Sequence, residues 1–458
     1  MADAPAPRLT PLQGLICGLA AIGFCFDIYV ILVMPPILRD VVTELTGNAF
    51  GTPGYKTWTN LLLFLPLVLG GLFGLIGGWL TDVIGRRGVL TWSILLYAAA
   101  ATGSAFATTA WMLLAFRCLA LIGVCVEFVA AVAWVAELFP DARQREKALG
   151  WTQAFGSFGG LLTALMLGWI AKAAPELPAI FGKHEVWRYL LLSGVFPAIP
   201  LILIRPFVPE SPVWAKKKRD GTLRRPSFRE LFAPALKRTT IVSTLLFACA
   251  YGAAFGAIQQ MPQFVPQIPD APKLDAGKLA GKTDAEKGAL QRRHNSGVVA
   301  TAQTYQEVGG LAGRCLFAAL ALFVISKGWL LRLFQIPGLL ILPVVFWTWG
   351  TGNYNLFCWG IAAVGLCTTA QFSFWGNYLP VAYPTHLRGT GGIFAANVGG
   401  RILGTAMFLV TTLLSSAFAG SPGVQVARAA AVVGGGVFLL GLILSFFLPE
   451  PKSEQFQE

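Results

Sequence analysis

Gly77-Gly78-Trp79-Leu80-Thr81-Asp82-Val83-Ile84-Gly85-Arg86-Arg87-Gly88 is a short polar hinge between two long apolar runs. Residues 58–80 before it are almost wholly apolar and residues 89–109 after it nearly so, and each run is long enough to cross a bilayer as a helix. Within the hinge, Gly77 and Gly78 let a helix end approach a neighbour, Asp82 lies near that end, and Gly85 permits a tight reversal before Arg86 and Arg87. An ordinary positively charged turn would account for the arginines but not for the glycines and the acid.

Composition points the same way. Of 458 residues, 55% are hydrophobic and 12% charged, about half the charged fraction usual in a soluble domain. The formal charge of +13 gathers in connecting stretches on one side of an alternating path, so it reads as membrane topology and not as a nucleic-acid surface. Residues 1–13 are polar and proline-rich, and the apolar run that follows is too long for a cleaved leader, so the first span is expected to stay as an anchor. All eight cysteines (Cys17, Cys25, Cys118, Cys125, Cys249, Cys315, Cys358 and Cys367) fall in apolar stretches without metal-ligand spacing. They read as small core residues, and no disulfide, metal or cofactor is expected.

Working outward, hydropathy predicts spans at 11–38, 58–81, 88–108, 110–136, 148–172 and 187–208, then at 238–263, 297–325, 329–349, 353–380, 390–418 and 424–448. The expected fold is an all-α membrane protein with twelve transmembrane helices in two six-helix bundles, 1–208 and 238–458, joined by a charged linker, 209–237. Arg86, Arg87, Arg143, Arg145, Lys147, the run 216–219, Arg224, Arg225, Arg229, Lys327, Arg332 and Arg388 all fall on one side. The positive-inside rule makes that side cytoplasmic, with both termini inside a multi-pass cell-membrane protein, a bacterial inner membrane being expected. The linker reads either as short amphipathic helices on the membrane surface or as a bare flexible connection. A second polar interval, 266–295, mixes acids and bases and reads as a solvated external loop. The halves echo each other: Glu137-Leu-Phe-Pro-Asp-Ala-Arg143 closes the fourth span and Ala382-Tyr-Pro-Thr-His-Leu-Arg388 the tenth, as repeated transporter halves would.

The pattern Gly-x-x-x-Asp-x-x-Gly-Arg-Arg, Gly78 to Arg87, resembles the loop signature of the major facilitator superfamily of secondary transporters. Three further stretches look like its sugar-porter, metabolite:proton-symporter and organic-ion branches: Arg117 to Glu127, Trp187-Arg188 followed by Pro209-Glu210-Ser211-Pro212-Val213-Trp214, and Tyr383 to Gly391. The sequence departs from those branches where an acid usually precedes Tyr-Pro-Thr, since Val381 and Ala382 stand there, and Lys327-Gly328-Trp329 lacks an aspartate. Gln259-Gln260 could pass for the paired glutamines of sugar porters, although they sit near the outer helix end without the residues that should follow. Pro449-Glu450-Pro451-Lys452 is a degenerate form of the sugar porters' terminal motif. The resemblance implies a monomeric carrier whose partners are protons, a small-molecule substrate and the lipid bilayer. A metabolite:proton symporter for an organic anion is favoured, with a sugar porter or facilitator as the alternative.

An ionisable side chain at mid-bilayer costs about 2.5–3.5 kcal/mol on insertion scales, so each needs a partner or a purpose. Asp27, in the middle of the first span, is the expected proton carrier, with Arg117 on the fourth span as its partner; a static ion pair that fixes helix register is the alternative. Glu127 is either a second proton site or an acid packed against the first or second span. On the eleventh span Arg401, among glycines, either grips a substrate carboxylate or pairs with Glu307 on the eighth. Tyr29, Gln153, Tyr251, Gln371, Phe372, Trp375 and Asn377 are expected to complete a central cavity, with core packing or lipid contact as the alternative for each. Gly78, Asp82, Arg86, Arg87, Glu137 and Arg143 are expected to form a charge network at the cytoplasmic gate, simple anchoring by arginine being the alternative. Neither a nucleophile with its base nor a phosphate loop is evident, so an enzyme is not expected, and asymmetric buried charges argue against a channel. A transporter-like sensor remains the rival from another class.

Overall fold

The computed structural model describes residues 10–139, 144, 148, 151–152, 155–156, 158–196, 198–204, 210–220, 227–321, 323–324, 326–384 and 387–450. Gln153 and Arg143 therefore lie outside the described residues. Among the described residues, regular structure is helical, with one isolated β-bridge between Ile180 and Lys183. Among the described residues, ten helices are long and apolar enough to cross a membrane by length and composition.

The N-terminal half is built from α1 (Pro11–Leu32), α2 (Pro53–Ile84), α3 (Arg86–Ala105), α4 (Ala110–Leu138), α5 (Phe158–Ala173) and the short α6 (Val186–Ser193), which a break separates from Ala198–Ile204. The C-terminal half follows with α7 (Lys237–Gly256), α8 (Asp284–Leu320), α9 (Lys327–Trp347), α10 (Tyr354–Ala382), α11 (Arg388–Ala417) and α12 (Pro422–Ser445). One large apolar cluster fills the first half, and two smaller clusters fill the second. Aromatic and aliphatic side chains such as Trp92, Trp169, Trp359 and Leu340 are exposed on the outer faces, which suits a lipid surround.

Local chemistry decides several boundaries differently from hydropathy alone. The first span stops at Leu32, and Pro35–Ile37 forms a 3₁₀ turn before a further helix, Leu38–Thr46, because prolines in succession cannot continue the α-helical ladder. The expected external loop 266–295 is only partly a loop. A capping box of Thr283 and Glu286 starts α8 at Asp284, and the following Ala-Glu-Lys-Gly-Ala-Leu-Gln-Arg-Arg run is rich in helix formers, so the helix projects well beyond the span that begins near 297. In the linker, Pro212–Arg219 is helical, and its buried Trp214 donates Nε1–H to the Asp82 carbonyl at 3.0 Å.

Helices approach closely where glycine permits it. On α8, an added Cβ at Gly309 would overlap the Ala362 carbonyl of α10, and one at Gly313 the Leu366 carbonyl; Gly365 of α10 returns the contact against Gln306. This Gly-x-x-x-Gly face joins α8 to α10 backbone to backbone. Among the seams that connect the halves are α5 against α8, and α2 against the middle of α11, where Gly71 and Gly74 face Arg401 and Asn397.

Candidate functional site

α11 is not regular. Residues Ala395–Gly404 form a π-helix, a wider turn that carries one extra residue and often marks a functional position. It contains Gly399, Gly400 and Gly404, and these lie against Thr244, Phe247, Ala248 and Tyr251 of α7. The turn delivers Arg401, 5% exposed, into the molecular centre. Its Nη1 donates to Asn397 Oδ1 at 2.7 Å, and its guanidinium lies 5.6 Å from the Phe128 ring of α4, in the other half. Asp27, Cys125 and Tyr251 are the groups within its electrostatic reach. Glu307 is not among them; it faces Gly160 of α5, with Gln306 and Arg314 as its polar neighbours. Of the two readings of Arg401, the Glu307 pair is therefore not the arrangement found.

Beside Arg401 stands an aromatic wall. Phe247, Tyr251 and Phe255 recur every four residues on α7, so their rings stack at 5.6 and 5.9 Å. Phe372 meets Tyr251 edge-on at 5.2 Å, and Trp375 lies 5.1 Å from Phe247. Tyr251, Phe372 and Trp375 are thus brought together as expected of one wall. Gln371 is buried nearby on α10, its Nε2 donating to the Cys367 carbonyl at 3.4 Å. Two expected members are elsewhere. Tyr29 is buried within the N-terminal half, its hydroxyl 2.5 Å from Ser193 Oγ. Asn377 is exposed and accepts from Lys327 Nζ at 2.6 Å, because it falls on the α9-facing side of α10, near the helix end.

Asp27 and Glu127 are both buried, at 4% and 1% exposure. A Cβ on Gly23 of α1 would lie 2.9 Å from Glu127 Oε1, so this acid packs against the first span. Arg117, also buried, donates Nη2–H to the Val30 carbonyl at 3.0 Å, one turn beyond Asp27. Among the described residues Arg117 makes no ion pair with Asp27. A backbone carbonyl of the broken end of α1 supplies its acceptor, and Arg401 is a cation within electrostatic reach of Asp27. The sequence reading did not count Arg314 of α8 as a site residue, although its charge faces Glu307 and Tyr251.

At the basic end of the molecule, Arg86 binds Asp82 at 2.9 Å and Glu137 at 2.6 Å, joining α2, α3 and α4. Glu210, which the reading of the gate passed over, caps α3: it accepts from the backbone NH of Arg86 at 3.0 Å and of Arg87 at 3.1 Å. Gly85, at φ +105°, is needed there because any side chain would meet the Glu210 carboxylate. Gly78 is less constrained, since a Cβ added there would come no nearer than 4.0 Å, to Val129. Glu450 repeats the device in the second half, accepting from Ser326 Oγ at 2.6 Å and from the NH of Gly328 at 2.9 Å and Lys327 at 3.0 Å. Partial burial acts to raise its pKa, but these donors outweigh it and hold the carboxyl below its usual range. The sequence signal for both caps was the Pro-Glu dipeptide at each half's end.

The opposite end is closed between halves. Pro35–Ile37 packs against Met261–Phe264, Tyr55 donates to Gln263 Oε1 at 3.4 Å, and Lys56 to Ser416 Oγ at 2.6 Å. Arg292, on the projecting turns of α8, grips Glu185 with Nη2 at 2.6 Å and Nε at 3.2 Å. Removing this two-pronged contact with Glu185→Ala should loosen that end. Hydrogen exchange over 258–268 is the measurement; amides there should exchange several-fold faster, and unchanged exchange would assign the pair to the surface only.

Residues 16–405 match the Major Facilitator Superfamily. The chain belongs to that superfamily. Within it, the chain is 32% identical over 206 residues to a putative metabolite transport protein of Haemophilus influenzae, covering 43% of this chain and 44% of that relative. It thus spans less than half the length of that relative. It is 24% identical over 406 residues to the cis,cis-muconate transport protein of Acinetobacter baylyi, covering 84% and 83%. In structure it is similar to the xylose transporter XylE of E. coli in a partially occluded inward open conformation: TM-score 0.71, 15% identity, 98% of this chain and 100% of that one. A transporter of this superfamily is not an enzyme, and its multi-pass membrane setting agrees with the ten apolar helices.

Proposed function

We propose that the chain is a proton-coupled symporter for a small organic anion, working by alternating access between its two halves. In this reading twelve helices span a bacterial inner membrane, the basic end and both termini face the cytoplasm, the carrier is a monomer, and 209–237 links the bundles. The observation that carries the proposal is Arg401: a guanidinium from one half, presented by a π-helical turn, reaches the other half with Asp27 as its facing acid. Protonation of Asp27 would leave the charge of Arg401 uncompensated and ready for a carboxylate, and loss of the proton would compensate it again and expel the anion. The muconate relative supports an anion by its name. Against the sugar-porter reading, Gln260, one of its paired glutamines, already spends Nε2 on the Phe408 carbonyl.

The test is uptake of labelled cis,cis-muconate, benzoate and xylose into proteoliposomes of the purified chain, with and without an inward proton gradient. An anion should accumulate only with the gradient, and Arg401→Gln should lower its uptake about thirtyfold, the loss expected for a charge-assisted pair. Xylose accumulation in preference to both anions would reverse the reading, and binding without any flux would indicate the sensor class.

A further inference from the structure

Tyr251 lies between two guanidinia. From α11, Arg401 faces Tyr251 together with Asp27 of α1 and Cys125 of α4, while Asn397 holds its Nη1. From α8, Arg314 faces Tyr251 and Glu307. Its Nη1 reaches only Ser373 Oγ, at 3.5 Å, and its Nε has no hydrogen-bond partner among the described residues. Glu307 is 8% exposed, lies against Gly160 of α5, and keeps Oε1 without a partner among the described residues. Each guanidinium thus has one acid within electrostatic reach, Asp27 of α1 for Arg401 and Glu307 of α8 for Arg314, and the Tyr251–Phe372 aromatic pair stands beside them.

We propose that this site holds a dianion, one carboxylate replacing Asp27 at Arg401 and the other replacing Glu307 at Arg314, with two protons carried per substrate. The inference rests on the organic-anion reading of Arg401 and extends it to a second pole. Charge accounts for the stoichiometry. Arg117 and Glu127, packed against α1 on either side of Asp27, offset each other; with them unchanged, the two guanidinia and two carboxylates of the empty site sum to zero. With a dianion bound and both resident acids ionised it would carry two net negative charges in a low-dielectric interior, which burial opposes. One proton on Asp27 and one on Glu307 return the loaded site to zero, so the dianion and its two protons cross without net charge. The aromatic wall favours an apolar, unsaturated body between the two carboxylates.

The full-length chain in proteoliposomes provides the test, with cis,cis-muconate as the dianion and benzoate as the monoanion. Muconate should accumulate about a hundredfold for a gradient of about one pH unit, as two protons require, and should ignore an imposed potassium diffusion potential. Glu307→Gln deletes one protonation site, so muconate uptake should become voltage-sensitive, one negative charge entering per cycle; a purely structural role would slow uptake without that change. Arg314→Gln should lower the ratio of muconate to benzoate uptake about thirtyfold, and Arg314→Lys should recover part of it. Voltage-insensitive muconate uptake by Glu307→Gln, or an equal loss of both probes in Arg314→Gln, overturns the proposal. Should those variants fail to fold, the wild-type ratio decides alone: two protons per muconate supports it and one overturns it. Transport of benzoate without muconate would remove the second pole and leave the anion carrier standing, whereas transport of xylose alone would remove both.

Discussion

An Asp27→Asn variant should exchange labelled benzoate, the monoanion that Arg401 alone would hold, across the membrane and yet fail to accumulate it. The amide keeps the shape of the carboxyl but can neither bind a transportable proton nor neutralise Arg401 as an anion. In the wild type a gradient of about one pH unit supplies about 1.4 kcal/mol per proton and so about tenfold accumulation per coupled proton. In the variant the contribution of this site should vanish at every external pH, while counterflow between equal internal and external pools persists. The sign follows from the chemistry. Acid outside favours protonated Asp27, an uncompensated Arg401 and therefore anion binding from that side, so wild-type uptake rises as external pH falls and the variant's uptake does so less steeply. Proteoliposome uptake and counterflow on one preparation separate the two functions. If accumulation survives in Asp27→Asn, the coupling acid is another residue, and Glu127, packed over Gly23, is the next to replace.

Gly309→Leu should remove most of the folded protein. Its Cβ would fall on the Ala362 carbonyl, a backbone atom in the α8–α10 seam that no rotamer change can clear, and Gly313 and Gly365 repeat the constraint on either side. Overpacking a closed contact costs about 1–3 kcal/mol and sometimes more. A whole leucine against backbone belongs at the upper end, because α8 and α10 would have to separate along the whole interface they share. Monodisperse yield after detergent extraction and the midpoint of thermal aggregation report the result, with Gly309→Ala intermediate and Gly297→Leu as the control, since nothing lies within 4 Å of the Cβ position at 297. Equal melting of Gly309→Leu and wild type would mean that the seam is looser than its geometry requires.

Much of this was readable one residue at a time. The hinge at Gly77 to Gly88 announced a membrane carrier because a bilayer imposes length, apolar composition and basic loops on any chain that crosses it. Asp27, Glu127, Glu307 and Arg401 stood out because ionisable groups in apolar runs are costly wherever the helices later pack. Arg86 with Asp82 and Glu137 was legible for a similar reason: two of the three are one turn apart on the chain, and the third closes the fourth span.

Partnership was not readable. Arg117 looked like the partner of Asp27, yet α1 ends before Pro35 and offers Arg117 the Val30 carbonyl. Arg401 enters the electrostatic reach of Asp27 from a π-helical turn that the glycines at 71 and 74 let pack closely against α2. Tyr29 and Asn377 shared the composition of cavity residues but face Ser193 and Lys327. Arg292 meets Glu185 across 107 residues of chain. The sequence by itself determined which residues are too costly to bury without a role, since that cost depends on the side chain and the solvent alone. Only the tertiary structure decided which of them meet, since that depends on helix rotation, on breaks in the helical ladder and on how closely glycine lets two backbones approach.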